Sequence, residues 1–547
     1  MADLSQRKSY KPTAAVWEIT MDCNMRCKHC GSSCLGPLPD ELTTEEALAM
    51  CDALKRIGLQ RITLSGGEPF IRPDWDRIAS RLIRNNISTN ILSNGWYIER
   101  DTIRKAKEIG ISNIGISMDG LEDTHDFIRK KGSFSRIMKV LALAKEENML
   151  TSIVTCIHKK NLGQLPEMKK ILIEKGVADW QLQAAVPMGN LLKYQDWLMD
   201  PAEISDVIDF AYDVLKEGRI GIHLTDVIGY FTRKEIEIRR ANSRSGLNLG
   251  VWNGCPAGKD LIGVRCNGDI IGCLSIRDDS LIEGNVRQTP LEELWTRPGA
   301  FSWNRDRSRE ELTGFCKICQ YAEYCLAGCS CIRRLRYKTM TETKFCAYYA
   351  AVEKEREKVS RIVDIDQLAA TGRELNDAGK YQQAELYISR ALEKDEKNIE
   401  LLNLLGFIHY KLKNYPECEA CNRRVLAQEP GNVYALKGLG VSLSKQGKVE
   451  EGIELLRKSI ELTGVDYLEP YHDLAAVLAE NGRTGEALEV LEAGREKSAA
   501  FCEVTEDFYR FLKGGSPDAK RETEAERLNV NADVNTNAVF AEYKRKE

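Results

Sequence analysis

At 547 residues the chain is too long for one hydrophobic core, so two or three domains are expected. Its 43% hydrophobic and 29% charged residues are ordinary for a globular protein, and a net charge of −4 excludes the strongly basic footprint of a nucleic-acid-binding domain. No apolar run approaches the roughly 18 residues of a membrane span, and the polar start lacks the apolar core of a secretion signal, so no membrane partner and a cytoplasmic location are expected.

Short apolar runs at 16–21, 61–65, 88–93, 113–118, 152–158 and 180–186 predict strands. Amphipathic stretches at 44–57, 75–84, 100–109 and 134–147 predict the helices between them. This alternation predicts six βα units around a parallel sheet, a partial (β/α)6 barrel over residues 14–190. In such folds chemistry sits at the C-terminal ends of strands. Cys23, Gly66-Gly67-Glu68, Asn94 and Asp119 all fall there. Residues 191–254 read as a polar helical connection, 255–349 as a cysteine-rich domain and 350–364 as a linker helix.

From 365 to 513 the chain repeats. Gly372, Gly406 and Gly440 recur at a spacing of 34, and Ala475 follows 35 later. A second position reads Gly379, Gly447 and Gly482, with Lys413 breaking the series. A third reads Ala384, Cys418, Gly452 and Ala487. That period predicts an α-helical solenoid of tetratricopeptide type, four antiparallel helix pairs crossing closely at the small residues. A capping helix is expected over 501–512, and the charged tail, 514–547, is expected to be disordered.

Eighteen cysteines point to metal or redox chemistry, because reducing compartments disfavour structural disulfides. Ten of them form three spaced groups between Cys23 and Cys346. The first, Cys23-Asn24-Met25-Arg26-Cys27-Lys28-His29-Cys30, presents three thiolates from one tight loop. A [4Fe–4S] cluster takes four cysteines, so three leave one iron open. One βα unit later comes Leu64-Ser65-Gly66-Gly67-Glu68-Pro69, whose glycines allow close backbone approach and whose Glu68 can receive an ammonium group. A zinc knot is the alternative for these thiols alone.

Together the two motifs resemble the radical S-adenosylmethionine superfamily over residues 14–190. The resemblance implies that Cys23, Cys27 and Cys30 hold a [4Fe–4S] cluster whose open iron is chelated by S-adenosylmethionine. It implies that Gly66, Gly67, Glu68 and Pro69 contact the cofactor, that His29 packs near adenine, and that Ser93, Asn94, Ser117 and Asp119 contact ribose and carboxylate. Strand-end capping is the alternative for those four, and Arg129 is a further candidate. A low-potential donor such as ferredoxin or flavodoxin would reduce the cluster, and the resulting 5′-deoxyadenosyl radical would abstract hydrogen.

The remaining groups, Cys255, a GxxxxC ending at Cys273, then Cys316, Cys319, Cys325, Cys329 and Cys346, resemble the SPASM extension with its two auxiliary [4Fe–4S] clusters. By that resemblance Cys255, Cys273 and Cys329 serve auxiliary cluster I, and Cys316, Cys319, Cys325 and Cys346 serve auxiliary cluster II. Zinc sites are the alternative. Some relatives carry a fourth cysteine six residues after the first, where this chain has Leu261. Cys266 or Cys331 completes the set, or an iron stays open; both also suit the role of buried small hydrophobes. Leu274 replaces the acid of the sulfatase-maturing branch. Cys34, Cys51 and Cys156 read as core or loop thiols, and His125, His158 and His223 as structural.

Many SPASM enzymes modify ribosomally made peptides, often through an N-terminal leader-binding domain that the 22 residues before Cys23 do not accommodate. The repeats are therefore expected to present a peptide or protein for crosslinking, epimerisation or oxidation. The alternatives are the same chemistry on a small molecule or cofactor precursor, and a zinc-stabilised scaffold without activity. No catalytic acid or base is identified.

Overall fold

The structure, a computed structural model, describes residues 10–242 and 252–514. These form two compact units, the first from the described residues up to 317 and from 322–350, the second from 318–321 and 351–514.

The first unit is organised on a ten-stranded sheet: β1 Ala14–Thr20, β2 Arg61–Gly66, β3 Ser88–Ser93, β4 Asn113–Ser117, β5 Thr151–Ile157, β6 Asp179–Ala184, β7 Gly221–Leu224, β8 Leu261–Val264, β9 Asp269–Ile271 and β10 Ile282–Asn285. Their spatial order is β10-β9-β8-β1-β2-β3-β4-β5-β6-β7. Strands β1 to β7 run parallel, β8 joins β1 in parallel, and β9 and β10 are antiparallel. The six predicted strands thus lie side by side in chain order, each within two residues of its expected ends. The order terminates at β7 and β10, so the sheet is open, as a partial barrel requires.

The segment 191–254 is not wholly helical. Besides α7 (Glu203–Glu217) and α8 (Arg233–Ala241) it contributes β7, paired with β6 from Asp179↔Gly221 to Leu182↔Leu224. Four residues with two buried carry too little periodicity to announce a strand. Strand β8 escaped notice for the same reason.

Local signals explain the crossovers α1 Thr44–Arg56, α2 Trp75–Arg84, α3 Arg100–Ile109, α4 Glu122–Ile128, α5 Ser133–Glu146 and α6 Leu165–Lys175. A Thr43/Glu46 capping box starts α1. Gly110, with φ at 96°, ends α3 where a Cβ would be strained. The strand residues Leu64, Ile91, Ile116, Ile153 and Trp180 and the helix residues Ile78, Leu82, Ile137, Leu141 and Leu172 are all essentially inaccessible. The cysteine-rich segment adds only short helices, α9 Leu291–Thr296, α10 Ser302–Arg305, α11 Gly314–Ile318, α12 Ala322–Cys325 and α13 Ser330–Arg336.

Helix α14 (Ala347–Ser360) covers most of the segment 350–364. The second unit then runs in antiparallel pairs, α15 Ile365–Asp377 with α16 Tyr381–Leu392, α17 Ile399–Lys411 with α18 Tyr415–Gln428, α19 Val433–Lys445 with α20 Val449–Leu462, and α21 Glu469–Glu480 with α22 Thr484–Arg495. Helix α23 (Ala499–Leu512) caps the stack, burying Phe501 and Leu512. The small residues sit at the crossings: a Cβ on Gly372 would lie 2.4 Å from Ile388 Cδ1, and one on Gly452 2.5 Å from the Gly440 carbonyl. The tail from 515 onward lies outside the described residues.

Lys413 occupies the inter-helix turn that glycine holds in the other repeats. Its φ is 56°, against 69°, 87° and 78° at Gly379, Gly447 and Gly482. Left-handed backbone costs a Cβ-bearing residue about 1–2 kcal/mol, partly offset by glycine's larger unfolded-state entropy. Lys413→Gly should therefore stabilise the repeats by about 0.5–1 kcal/mol, read as a raised melting temperature of the full chain; an unchanged or lower value would refute the strain.

His409, on α17, is 5% exposed, its Nδ1 has no partner among the described residues, and burial holds its imidazole down to about 4. The unfolded chain therefore binds the proton first. Stability from this group is complete above the unfolded value of 6.5 and is lost as pH falls to about 4. The loss is about 3 kcal/mol. His409→Gln should flatten the fall in melting temperature between pH 7 and pH 4.5, and parallel profiles would contradict this.

Candidate active site and cysteine-lined cavity

The loop that follows β1 carries Cys23, Cys27 and Cys30, and the ends of β2, β3 and β4 surround it. Each thiol lies within electrostatic reach of the others, and burial pushes the Cys27 thiol up to about 11. Cys34, buried in the same loop, interacts through its thiol with Cys30 and lowers that group's pKa. Only thiolates ligate metal strongly, so a cationic cluster is what such a buried set is suited to. Asn24 Nδ2 and His29 Nδ1, buried without a hydrogen-bond partner among the described residues, add unsatisfied polar atoms on the same loop. The residues present therefore fit an iron–sulfur cluster with a polar ligand. Among the described residues no three His, Cys, Asp or Glu side chains are disposed to hold a single metal ion.

The Gly66-Gly67-Glu68 turn packs on this loop. Gly67 N donates to the Thr20 carbonyl and Glu68 N to the Asp22 carbonyl, both at 2.7 Å. A Cβ on Gly66 would lie 2.2 Å from the Thr20 oxygen, and one on Gly67 2.0 Å from the Asp22 oxygen. The glycines thus admit protein backbone, where the sequence suggested only a ligand. Glu68 is fully buried, and its carboxylate accepts from Ser93 Oγ at 2.8 Å, Asn94 N at 2.8 Å and Phe70 N at 3.2 Å. Burial outweighs those three donors and raises its carboxyl to about 7. Pro69 opens the short turn behind it.

Asn94 reaches forward as well, donating to Asn24 Oδ1 at 2.8 Å. Ser117 is half-buried at the end of β4. Next to it Asp119, wholly inaccessible, accepts from His29 Nε2 at 2.8 Å, Arg129 Nε at 2.5 Å and Cys156 N at 2.8 Å. Burial would raise its carboxyl, but Arg129 and His29 hold it well below the usual carboxylate range. His29 packs edge-on against His158, whose ring lies 5.3 Å from that of Trp197.

Sequence reasoning missed three further anchors of this loop. Asn190 Nδ2 donates to the Cys27 carbonyl at 2.9 Å and its backbone N to the Cys30 carbonyl at 2.9 Å. Arg277 bridges Glu18 on β1 and Ser32 in the loop. Lys28 N donates to the Ile128 carbonyl at 2.9 Å. None has a local signature.

Of the auxiliary set, Cys255, Cys273 and Cys329 line one cavity of about 120 Å³. Cys316 and Cys346 feel one another's charge, and Cys316 Sγ points to the Thr343 carbonyl at 3.7 Å. Cys319 is buried, and Cys325 ends α12, half-buried.

Comparison with known proteins agrees with this geometry. Family models match the radical SAM superfamily at residues 17–172, an iron–sulfur cluster-binding (SPASM) domain at 255–320 and the tetratricopeptide repeat at 375–438. An AdoMet-dependent heme synthase of Methanosarcina barkeri is 28% identical over 58% of this chain and 91% of its own length. The mycofactocin maturase MftC of Mycobacterium ulcerans is 25% identical over 58% of this chain and 83% of its own. The crystal structure of Streptococcus suis SuiB bound to S-adenosylmethionine shares the fold, with TM-score 0.50 and 16% identity over 61% of this chain and 76% of that one. No helix among the described residues is long and apolar enough to cross a membrane. A cysteine loop held at the ends of parallel strands, a cysteine-rich segment and a helical repeat are thus each matched by a family model, and the chain carries a radical SAM domain, an SPASM domain and tetratricopeptide repeats.

Proposed function

We propose that the chain carries three [4Fe–4S] clusters and abstracts hydrogen from a peptide or protein substrate, leaving a crosslink, an epimer or an oxidised residue. The observation that carries the chemistry is the Cys23/Cys27/Cys30 loop, pinned by Asn94, Asp119, Asn190 and Arg277 at the C-terminal edge of the sheet. When bound, the reduced cluster and S-adenosylmethionine supply a 5′-deoxyadenosyl radical. The protein's part is to hold the three thiols, to aim His29 through Asp119 and to keep water from the site. Support for a peptide substrate comes from the fused repeat unit, since such stacks present concave binding surfaces, and from the maturases among the relatives.

Anaerobic reconstitution should give about twelve irons per chain, with reductive cleavage of S-adenosylmethionine to 5′-deoxyadenosine and methionine. Bound zinc without cleavage would overturn the proposal. Removing residues 364–547 should leave cleavage without substrate intact and abolish tight peptide binding. Unchanged peptide affinity and turnover would remove the repeats from recognition.

A second reading is favoured by the three heme synthases, at 27–28% identity over 58–61% of this chain: the same chemistry on a tetrapyrrole precursor. Under it, iron porphyrin rather than peptide stimulates 5′-deoxyadenosine release, and the repeats bind a protein partner.

A further inference from the structure

The cavity at Cys255, Cys273 and Cys329 has a fourth thiol in its wall. Cys331 lines the same space, is 1% exposed, and lies two residues beyond Cys329 on α13. Its Sγ donates to the Ser275 carbonyl at 3.0 Å, on the turn that carries Cys273. The Cys329 thiol lies within interaction reach of those of Cys255, Cys273 and Cys331, and all four line the same space. Leu261, six residues after Cys255, also faces the cavity and brings no donor atom. Cys266 does not line it. That thiol is buried among the carboxylates of Glu41, Glu18 and Asp40, which disfavour a further thiolate.

We infer that Cys331 is the fourth protein ligand of the auxiliary cluster held by Cys255, Cys273 and Cys329, which closes the cluster to substrate. The inference rests on the iron–sulfur reading of this cavity. Asp226 also reaches the cavity, but it faces Arg239 at 3.6 Å, and iron–sulfur clusters favour soft thiolates over carboxylate. A four-thiolate cluster has no iron free to bind substrate, so this site transfers electrons and does not act as a Lewis acid.

The test uses the full chain with the radical-site cluster removed, Cys23→Ala/Cys27→Ala/Cys30→Ala, reconstituted anaerobically. This parent should hold about eight irons and show no ¹³C-cyanide coupling in electron–nuclear double resonance of the reduced clusters. Adding Cys331→Ala should create a cyanide-coupled iron or a three-iron signal. The near-isosteric Cys331→Ser should do the same while melting like the parent. Adding Cys266→Ala or Asp226→Asn should change neither signal. Cyanide coupling in the parent, a cyanide response to Cys266→Ala or Asp226→Asn, or none in either Cys331 variant would overturn the assignment alone. A parent without clusters would overturn the auxiliary-cluster reading with it.

Discussion

Gly67→Ala should abolish reductive cleavage of S-adenosylmethionine to at least a hundredfold, although alanine adds one methyl group. The added carbon would lie 2.0 Å from the Asp22 carbonyl oxygen and 2.6 Å from its carbon. Both partners are backbone, so no side chain can swing away. Relief requires the segment just before Cys23 to move, breaking the 2.7 Å bonds from Gly67 N and Glu68 N. A displacement near 1 Å at reacting atoms costs on the order of a hundredfold in rate, or about 3 kcal/mol of barrier. Gly36→Ala is the matched control: it lies near the same loop, and a Cβ there meets nothing within 4 Å. Its cleavage rate should stay within about twofold of the parent, because a substitution at this half-buried position, with open space for the added methyl, removes nothing the site uses. Rates of 5′-deoxyadenosine formation for the two variants, with iron content measured beside them, decide the matter. Comparable activity in both would show that the turn does not position the cysteine loop.

Asp119→Ala should cost the first unit about 3–5 kcal/mol, because it strands the Arg129 guanidinium in the interior. Arg129 sits largely buried on Asp119 Oδ2, the same oxygen that His29 uses. The substitution also frees His29, which stands one residue before Cys30, so radical-site iron should fall together with stability. Asp119→Asn separates the two effects. Its amide oxygen still accepts from one of the partners, but the charge that offsets Arg129 is gone. Thermal denaturation of both variants, followed by iron analysis, should rank parent, Asn and Ala in falling order. An alanine variant that melts like the parent would refute the role given to Asp119 as the tie between strand β4 and the cysteine loop.

Both predictions concern residues whose positions were legible before the structure and whose work was not. Gly67 was noticed as a backbone without a side chain, and the sequence could not show that protein rather than ligand comes close to it. Asp119 was noticed as a strand-end acid. Its partner His29 lies 90 residues away, and no spacing rule links them. The same holds for Glu68, fastened to Ser93 and Asn94 across the neighbouring strand. Strands β7 and β8 were missed because four-residue strands carry almost no periodicity, and their pairing depends on an existing sheet edge.

By itself the sequence determined the number and order of the first six βα units, the period of the helical repeat and the spacing of the cysteines. Each is a local pattern, written in residues that neighbour one another along the chain. Only the tertiary structure decided that Cys331 and not Cys266 shares a cavity with Cys255, that Cys34 interacts with Cys30, and which buried charges hold the reactive loop in place. A buried charge or thiol finds its partner through the packing of distant elements, where leaving it unpaired would cost several kcal/mol.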